Sequence, residues 1–341
     1  MRIRLTQRLS LLAAPFSLFV LCAVSAGAAE CPGNAHALGT SRTIVVDPRE
    51  HGRIGTMNYS ETLPLVDKEV VLTFDDGPLP PYSNRILDIL AAECVRATYF
   101  IVGRMAKAYP DLVRRAYSAG HTIGTHSMNH PIPFRTQGLE RTRVEIEGGI
   151  AATATALGDA TRLAPFFRFP GLGRTDPVEG YLGARGLMVW SADFPADDWR
   201  RIGADEVVRR ALRRLEAKGK GVLLLHDIQP ATALALPTIL AELKRRGYRV
   251  VHVVPATADR PKTPTTAEAW LMHPRKKPAM PTISIADVQN PDMDRVMKMS
   301  AAELYALHPP KHEPPIHAAA RRHSRAAHVE QARAPDIHAA R

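Results

Sequence analysis

Between residues 45 and 255 short apolar runs alternate with amphipathic helical patterns, and this alternation restricts the fold more than any other feature of the chain. Runs at 69–74, 97–102, 166–169, 187–191, 221–225 and 248–254 have the length of strands. Between them, 81–93 places Ile86, Leu87, Ile89 and Leu90 along one helical face, and 110–120 opens on proline and closes on glycine, as helices do. The stretches 204–221 and 237–247 repeat the spacing and are each stopped by glycine. Strand, helix and strand in succession predict an α/β fold, a parallel sheet covered by helices. A span of about 200 residues suits one α/β barrel better than two small domains.

The flanks read differently. Arg2, Arg4 and Arg8 precede an apolar run from Leu9 to Val24, followed by the small residues Ala26, Gly27 and Ala28. This is the layout of a secretory leader, so residues 1–28 are read as a cleaved signal peptide. Pro15 and the small-residue end argue against a retained anchor, and no other apolar run approaches the roughly 18 residues that span a bilayer. The chain is therefore expected to be exported, to the periplasm or beyond, with no integral span after cleavage. The leader holds three arginines and no acid, so its removal takes the net charge from +11 to +8. Cys31 and Cys94 remain, and an oxidising compartment permits a disulfide between them. Residues 29–64 are read as an N-terminal extension and 65–255 as the folded domain. From 256 to 341 the chain is basic and rich in Pro, His and Ala, with 7 of the 14 histidines. Such a composition buries too little apolar surface to offset chain entropy, so a disordered tail is expected. The irregular spacing of its histidines favours solvation over metal binding. Dispersed basic residues and export argue against a nucleic-acid partner, while the positive charge suits anionic envelope polymers.

The apolar runs end in polar clusters. The first, VVLTFDDGP, stops on Asp75 and Asp76 side by side. Neighbours on a strand point to opposite faces, so two adjacent carboxylates rarely share one task. Asp-Asp-Gly-Pro is also ordinary turn chemistry, and these nine residues alone leave both readings open. Later exits bring HTIGTHSMNHP with His126 and His130 four apart, FFRFPG with Arg168, VWSADFPADDW with Asp193, Asp197, Asp198 and Trp199, and VLLLHD with His226. On a helical turn His126 and His130 would reach one ion, and a carboxylate beside them completes a His₂-Asp site with open positions. Barrel enzymes gather their chemistry at the C-terminal ends of strands.

TFDDGP, HSMNHP, RFP, DDW and LLLHD, in this order, resemble the five motifs of the polysaccharide deacetylases, the NodB-homology domains of carbohydrate esterase family 4. RATYF at 96–100 resembles the family's second strand, and the likeness covers about residues 65–255. It implies a deformed (β/α) barrel of about seven strands and a metal-dependent hydrolase that removes acetyl groups from sugars. Asp76, His126 and His130 would hold the divalent metal, zinc or alternatively cobalt. Asp75 would be the general base, Arg168 its partner and pKa-lowering cation, His226 the acid, and Asp198 the residue that orients it. Trp199 and Leu224 would line the acetyl pocket, and a backbone N–H near Gly171 would help hold the oxyanion. The substrate implied is an N-acetylglucosamine-containing glycan of chitooligosaccharide or peptidoglycan type; the protein itself is expected to be a monomer. O-acetyl esterase activity and a non-catalytic carbohydrate-binding module are the alternatives. Two departures stand out. Gly171 occupies a position where the family places an aromatic ring, and four residues separate Asp193 from Asp198, leaving Asp197 and Asp198 both eligible as partner of His226.

Overall fold

The computed structural model of the protein describes residues 31–273. Its strands are β1 (Thr40–Val46), β2 (Arg53–Ile54), β3 (Glu69–Asp75), β4 (Thr98–Ile101), β5 (Thr122–Thr125), β6 (Phe166–Phe167), β7 (Met188–Trp190), β8 (Phe194–Pro195), β9 (Gly221–His226) and β10 (Arg249–Pro255). Its helices are α1 (Tyr82–Ala92), α2 (Gly103–Ala108), α3 (Pro110–Ser118), α4 (Leu139–Leu157), α5 (Asp176–Ala184), α6 (Ala204–Lys218) and α7 (Pro230–Arg245). All ladders between these strands are parallel. The order β9-β3-β4-β5-β6-β7 curls round until β8, three residues beyond β7, pairs with β9. This is the expected deformed barrel.

Every residue of β3 is buried, as in a parallel sheet covered on both faces. Its side chains alternate. Val70, Leu72 and Phe74 pack with Ile86, Leu90 and Leu236 from the helices. Val71 packs inward with Phe100, Phe166, Trp190 and Val222, one from each of β4, β6, β7 and β9. The period of two therefore carries the inward row from Val71 through Thr73 to Asp75, which places a carboxylate on the interior face at the strand's end.

Three expectations need correction. First, α7 begins at Pro230, not at residue 237, and Pro237 lies inside it. Pro230 takes the first-turn position that tolerates its missing N–H. Second, residues 40–64 are no appendage, since β1 pairs with β10 and β2 with β7. Third, the chain does not leave the domain at 255. Ala256 N donates to Val46 O at 2.8 Å, Thr263 N to Val45 O at 2.9 Å, and Thr62 N to Trp270 O at 2.7 Å. Trp270 is buried and stacks on His51 with ring centroids 3.4 Å apart. One buried ring in a stretch without strand or helix periodicity makes no pattern to read, so composition alone assigns this segment to the tail. The signal peptide expected at 1–28 and the part of the expected tail from 274 onward lie outside the described residues. Cys31 and Cys94 form a disulfide, their Cα atoms 5.6 Å apart, which ties the start of the described chain to the loop after α1. Among the described residues no helix is long and apolar enough to cross a membrane.

Candidate active site

Register brings the first pair together. In the β3–β9 ladder Thr73 stands beside Leu224 and Asp75 beside His226, all on the inward row. Asp76 then takes a left-handed backbone, φ +78°, and leaves the strand line. Its Oδ1 lies 3.5 Å from His126 Nε2 and 3.2 Å from His130 Nε2, and its Oδ2 lies 4.0 Å from His226 Nε2. His126 and His130 do not share a helical turn, contrary to the expectation from their spacing. They sit on a loop folded back by positive φ at Ser127 and His130, which brings their ring centroids to 4.8 Å. Bonds from Gly103 N to Ser127 O (2.9 Å) and from Arg104 N to Met128 O (2.9 Å) fix that loop to the start of α2.

The donor set fits a divalent cation. The ligand atoms of Asp76, His126 and His130 lie within 4.8 Å of one another, and Asp76 Oδ1 is buried with no hydrogen-bond partner. His126 Nδ1 lies 2.7 Å from the carbonyl oxygen of Arg168, which only accepts, so Nδ1 carries the proton and Nε2 offers its lone pair. Burial, reinforced by neighbouring His130, holds His126 well below the ordinary imidazole range, in the neutral form that ligates metals.

Asp75 and His226 are both raised above their ordinary values, for different reasons. Arg168 is fully buried, and its Nη1 donates to Asp75 Oδ1 at 2.6 Å and to Thr73 Oγ1 at 2.8 Å. Its Nη2 donates to Ser191 O at 2.9 Å, and its guanidinium lies 4.1 Å over the Phe100 ring. Arg168 lowers the pKa of Asp75 as expected, but the net shift is upward. Burial pushes Asp75 up and outweighs the lowering by Arg168 and His226. For His226 burial disfavours the charged ring, but Asp198, Asp76 and Asp75 together carry it up to about 9. His226 Nδ1 donates to Asp198 Oδ1 at 2.9 Å, and its backbone N–H donates to Asp198 Oδ2 at 2.7 Å. Asp197 points elsewhere, to Arg210 and Arg214 at 2.6 and 2.8 Å. Asp193 accepts from Thr56, Thr62 and Val222, joining the loop after β2 to β9 rather than entering the site.

Residues 63–190 match the family model described as polysaccharide deacetylase. A chitooligosaccharide deacetylase from Rhizobium leguminosarum bv. trifolii is 32 % identical over 200 residues, covering 53 % of this chain and 88 % of that protein. The chain belongs to the polysaccharide deacetylase family. A peptidoglycan-N-acetylglucosamine deacetylase from Listeria monocytogenes is 32 % identical over 187 residues, which make up 55 % of this chain but only 38 % of that protein. The chain thus spans little more than a third of the Listeria protein's length. Among solved structures, a peptidoglycan deacetylase from Bdellovibrio bacteriovorus aligns with a TM-score of 0.56 at 30 % identity, over 64 % of this chain and 60 % of that one.

The five motifs meet around one cleft of about 560 Å³. Asp75, Asp76, His126, His130 and His226 line it together with Gly171, Trp199 and Leu224, while Arg168 and Asp198 stand behind the lining. The Trp199 ring lies edge-on to His226 at 5.5 Å and is 45 % exposed. Gly171 adopts φ +57°, and a Cβ there would meet only Ile132 Cδ1 at 3.7 Å. The position where the resemblance implies an aromatic ring is thus open, and its backbone suits glycine. Six further lining residues went unread in the sequence: Met57, Asn58, Ile132, Phe169, Leu172 and Pro195. Phe169 and Pro195 lay inside quoted motifs. Met57 and Asn58 come from the segment taken for an extension and carry no motif.

Proposed function

We propose that this chain is a metal-dependent deacetylase that hydrolyses N-acetyl groups of N-acetylglucosamine-containing glycans. The observation that carries this reading is one cleft holding the Asp76–His126–His130 donor set, with a buried carboxylate on one side and a high-pKa imidazole on the other. Zinc suits two imidazoles and one carboxylate with positions left open, and cobalt is the alternative. A cation held there supplies Lewis-acid polarisation of a carbonyl oxygen and acidifies water.

The chain's own groups account for the proton movements. Asp75, raised by burial, is a stronger base than a free carboxylate and accepts a proton from the attacking water. Arg168 holds it in place through the 2.6 Å bond. Attack forms the C–O bond, the C–N bond breaks, and His226 Nε2 delivers its proton to the departing amine nitrogen. Asp198 keeps the ring oriented and charged until that transfer. A carboxylate that accepts a proton and a charged imidazole that gives one, in the same cleft, form the pairing that hydrolysis requires. The N–H at Gly171 assists the oxyanion, and Leu224 and Trp199 enclose the acetyl methyl.

The disulfide between Cys31 and Cys94 supports an oxidising compartment, and with the leader read at 1–28 we assign the protein to the periplasm or the secreted fraction. The site is complete within one chain, which supports action as a monomer. Acetate release from N-acetylglucosamine oligomers, abolished by a chelator and restored by zinc, is the expected result. Release only from acetylated xylan would reassign the activity to O-acetyl esters. No release from any glycan, with binding retained, would make the protein a non-catalytic module.

A further inference from the structure

The loop Gly55–Tyr59, between β2 and the start of β3, is held more tightly than an N-terminal segment requires. Gly55 has φ +105°, and a Cβ there would lie 2.6 Å from both Ala192 N and Ser191 C, so only glycine lets the loop approach β7. Thr56 is clamped by two bonds of 2.8 Å, from its N–H and its hydroxyl, to the buried carboxylate of Asp193. Met57 N donates to Ala192 O at 2.9 Å, and Tyr59 OH to Glu179 Oε1 at 2.5 Å. A segment fixed at four points presents its two remaining side chains, Met57 and Asn58, to the cleft.

Asn58 is held by its oxygen and not by its nitrogen. Oδ1 accepts from Ser191 Oγ at 2.5 Å, and Nδ2 has no partner among the described residues. Ser191 in turn accepts Arg168 Nη2 on its carbonyl, and Arg168 holds Asp75. The amide plane is thus set by the same chain of bonds that sets the carboxylate proposed as base, and two N–H donors stand at the cleft wall. Beside them Met57 is 44 % exposed, and across the lining Ile132 is 66 % exposed. Neutral donors next to exposed apolar surface match a pyranose, which offers hydroxyl and ring oxygens on its edge and C–H groups on its face.

We propose that Asn58 is a specificity-determining residue. Its Nδ2 donates to an oxygen of a sugar flanking the unit that loses its acetyl group, and Met57 packs against that sugar's face. This rests on the deacetylase reading above and adds to it a preference for chains over single sugars, built by a segment outside the five motifs.

The test compares the full-length protein with Asn58→Ala and with Asn58→Asp, which keeps the shape and the acceptor but removes the donor. Each is assayed on N-acetylglucosamine and on its β-1,4-linked tetramer, with melting curves to show that the fold is kept. Losing one neutral hydrogen bond should lower kcat/KM on the tetramer about five- to tenfold, chiefly through KM. The loss on the monosaccharide should be smaller, so the tetramer-to-monomer ratio falls in both variants. An unchanged ratio in both overturns the proposal. Calorimetric binding of the tetramer in an Asp75→Asn background separates the two readings. If the wild type releases no acetate yet Asn58→Asp still weakens binding, the contact of Asn58 with a bound sugar stands and the deacetylase reading falls. If all forms bind equally, or none binds, the proposal falls.

Discussion

Asp75, Asp76, His126 and His226 line the same cleft as Met57 and Asn58, yet the two groups are held in different ways. The first four stand at the ends of hydrogen-bonded parallel strands or one loop beyond them, where register alone sets Asp75 beside His226. The second pair hangs on a loop that follows a two-residue strand and is fixed by a few isolated side-chain and backbone bonds rather than by a ladder. Behind that loop Thr62 binds the carbonyl of Trp270, from the far end of the domain. Strand ends give the cleft its chemistry, and the flanking segments give part of its wall. Residues that perform chemistry tolerate little displacement, which suits a continuous ladder. A binding wall tolerates more, and a braced loop suffices.

The strand-end group should break in rate. Asp75→Asn is expected to lower kcat about 10²- to 10⁴-fold while keeping the bound cation, whereas Asp76→Asn loses the cation. Elemental analysis of both purified variants decides this, and full occupancy in Asp76→Asn would remove that residue from the ligand set. The flanking group should break in stability. Trp270→Ala removes a buried indole at a cost of about 3–5 kcal/mol, a fall in Tm on the order of 10 °C. A chain ending at 258 should melt at least as early, and one ending at 273 should match the full chain. Identical melting of the 258 truncation would make the flanks decoration and the contrast false.

Acid–base behaviour sharpens the same contrast. His226, raised to about 9, should lose its acid form above that pH, and the rate should fall there. Asp198→Asn removes the chief raising charge and should shift that limb towards the ordinary imidazole value of about 6.5. The sign for stability is the same. The contribution of the raised pKa is fully present below about 6.5 and is lost as pH climbs through about 9. A pH–rate profile of both proteins, with melting measured across the same range, checks each part. The smallest effect belongs to Gly171, where φ +57° should make Gly171→Ala cost about 1–2 kcal/mol with ample room for the methyl. Unchanged melting there would mean that the turn relaxes freely.

The chain by itself determined the α/β alternation, the parallel order and the polar residue at each strand exit. These are matters of local periodicity and turn chemistry, written in residues a few positions apart. Asp75, Asp76, His126, Arg168 and His226 could be named because each stands at or just beyond the end of a short apolar run, and His130 because it lies four residues after His126. Only the tertiary structure decided between Asp197 and Asp198. Adjacent carboxylates look alike in sequence, and a left-handed residue at Asp197, φ +58°, turns it to Arg210 and Arg214 and leaves Asp198 for His226. It also decided that His126 and His130 meet across a folded loop rather than along a helix. The flanks were illegible for a further reason. Thr62 reaches Trp270 and Asp193, and Trp270 stacks on His51, and such isolated long-range contacts leave no repeating pattern to read.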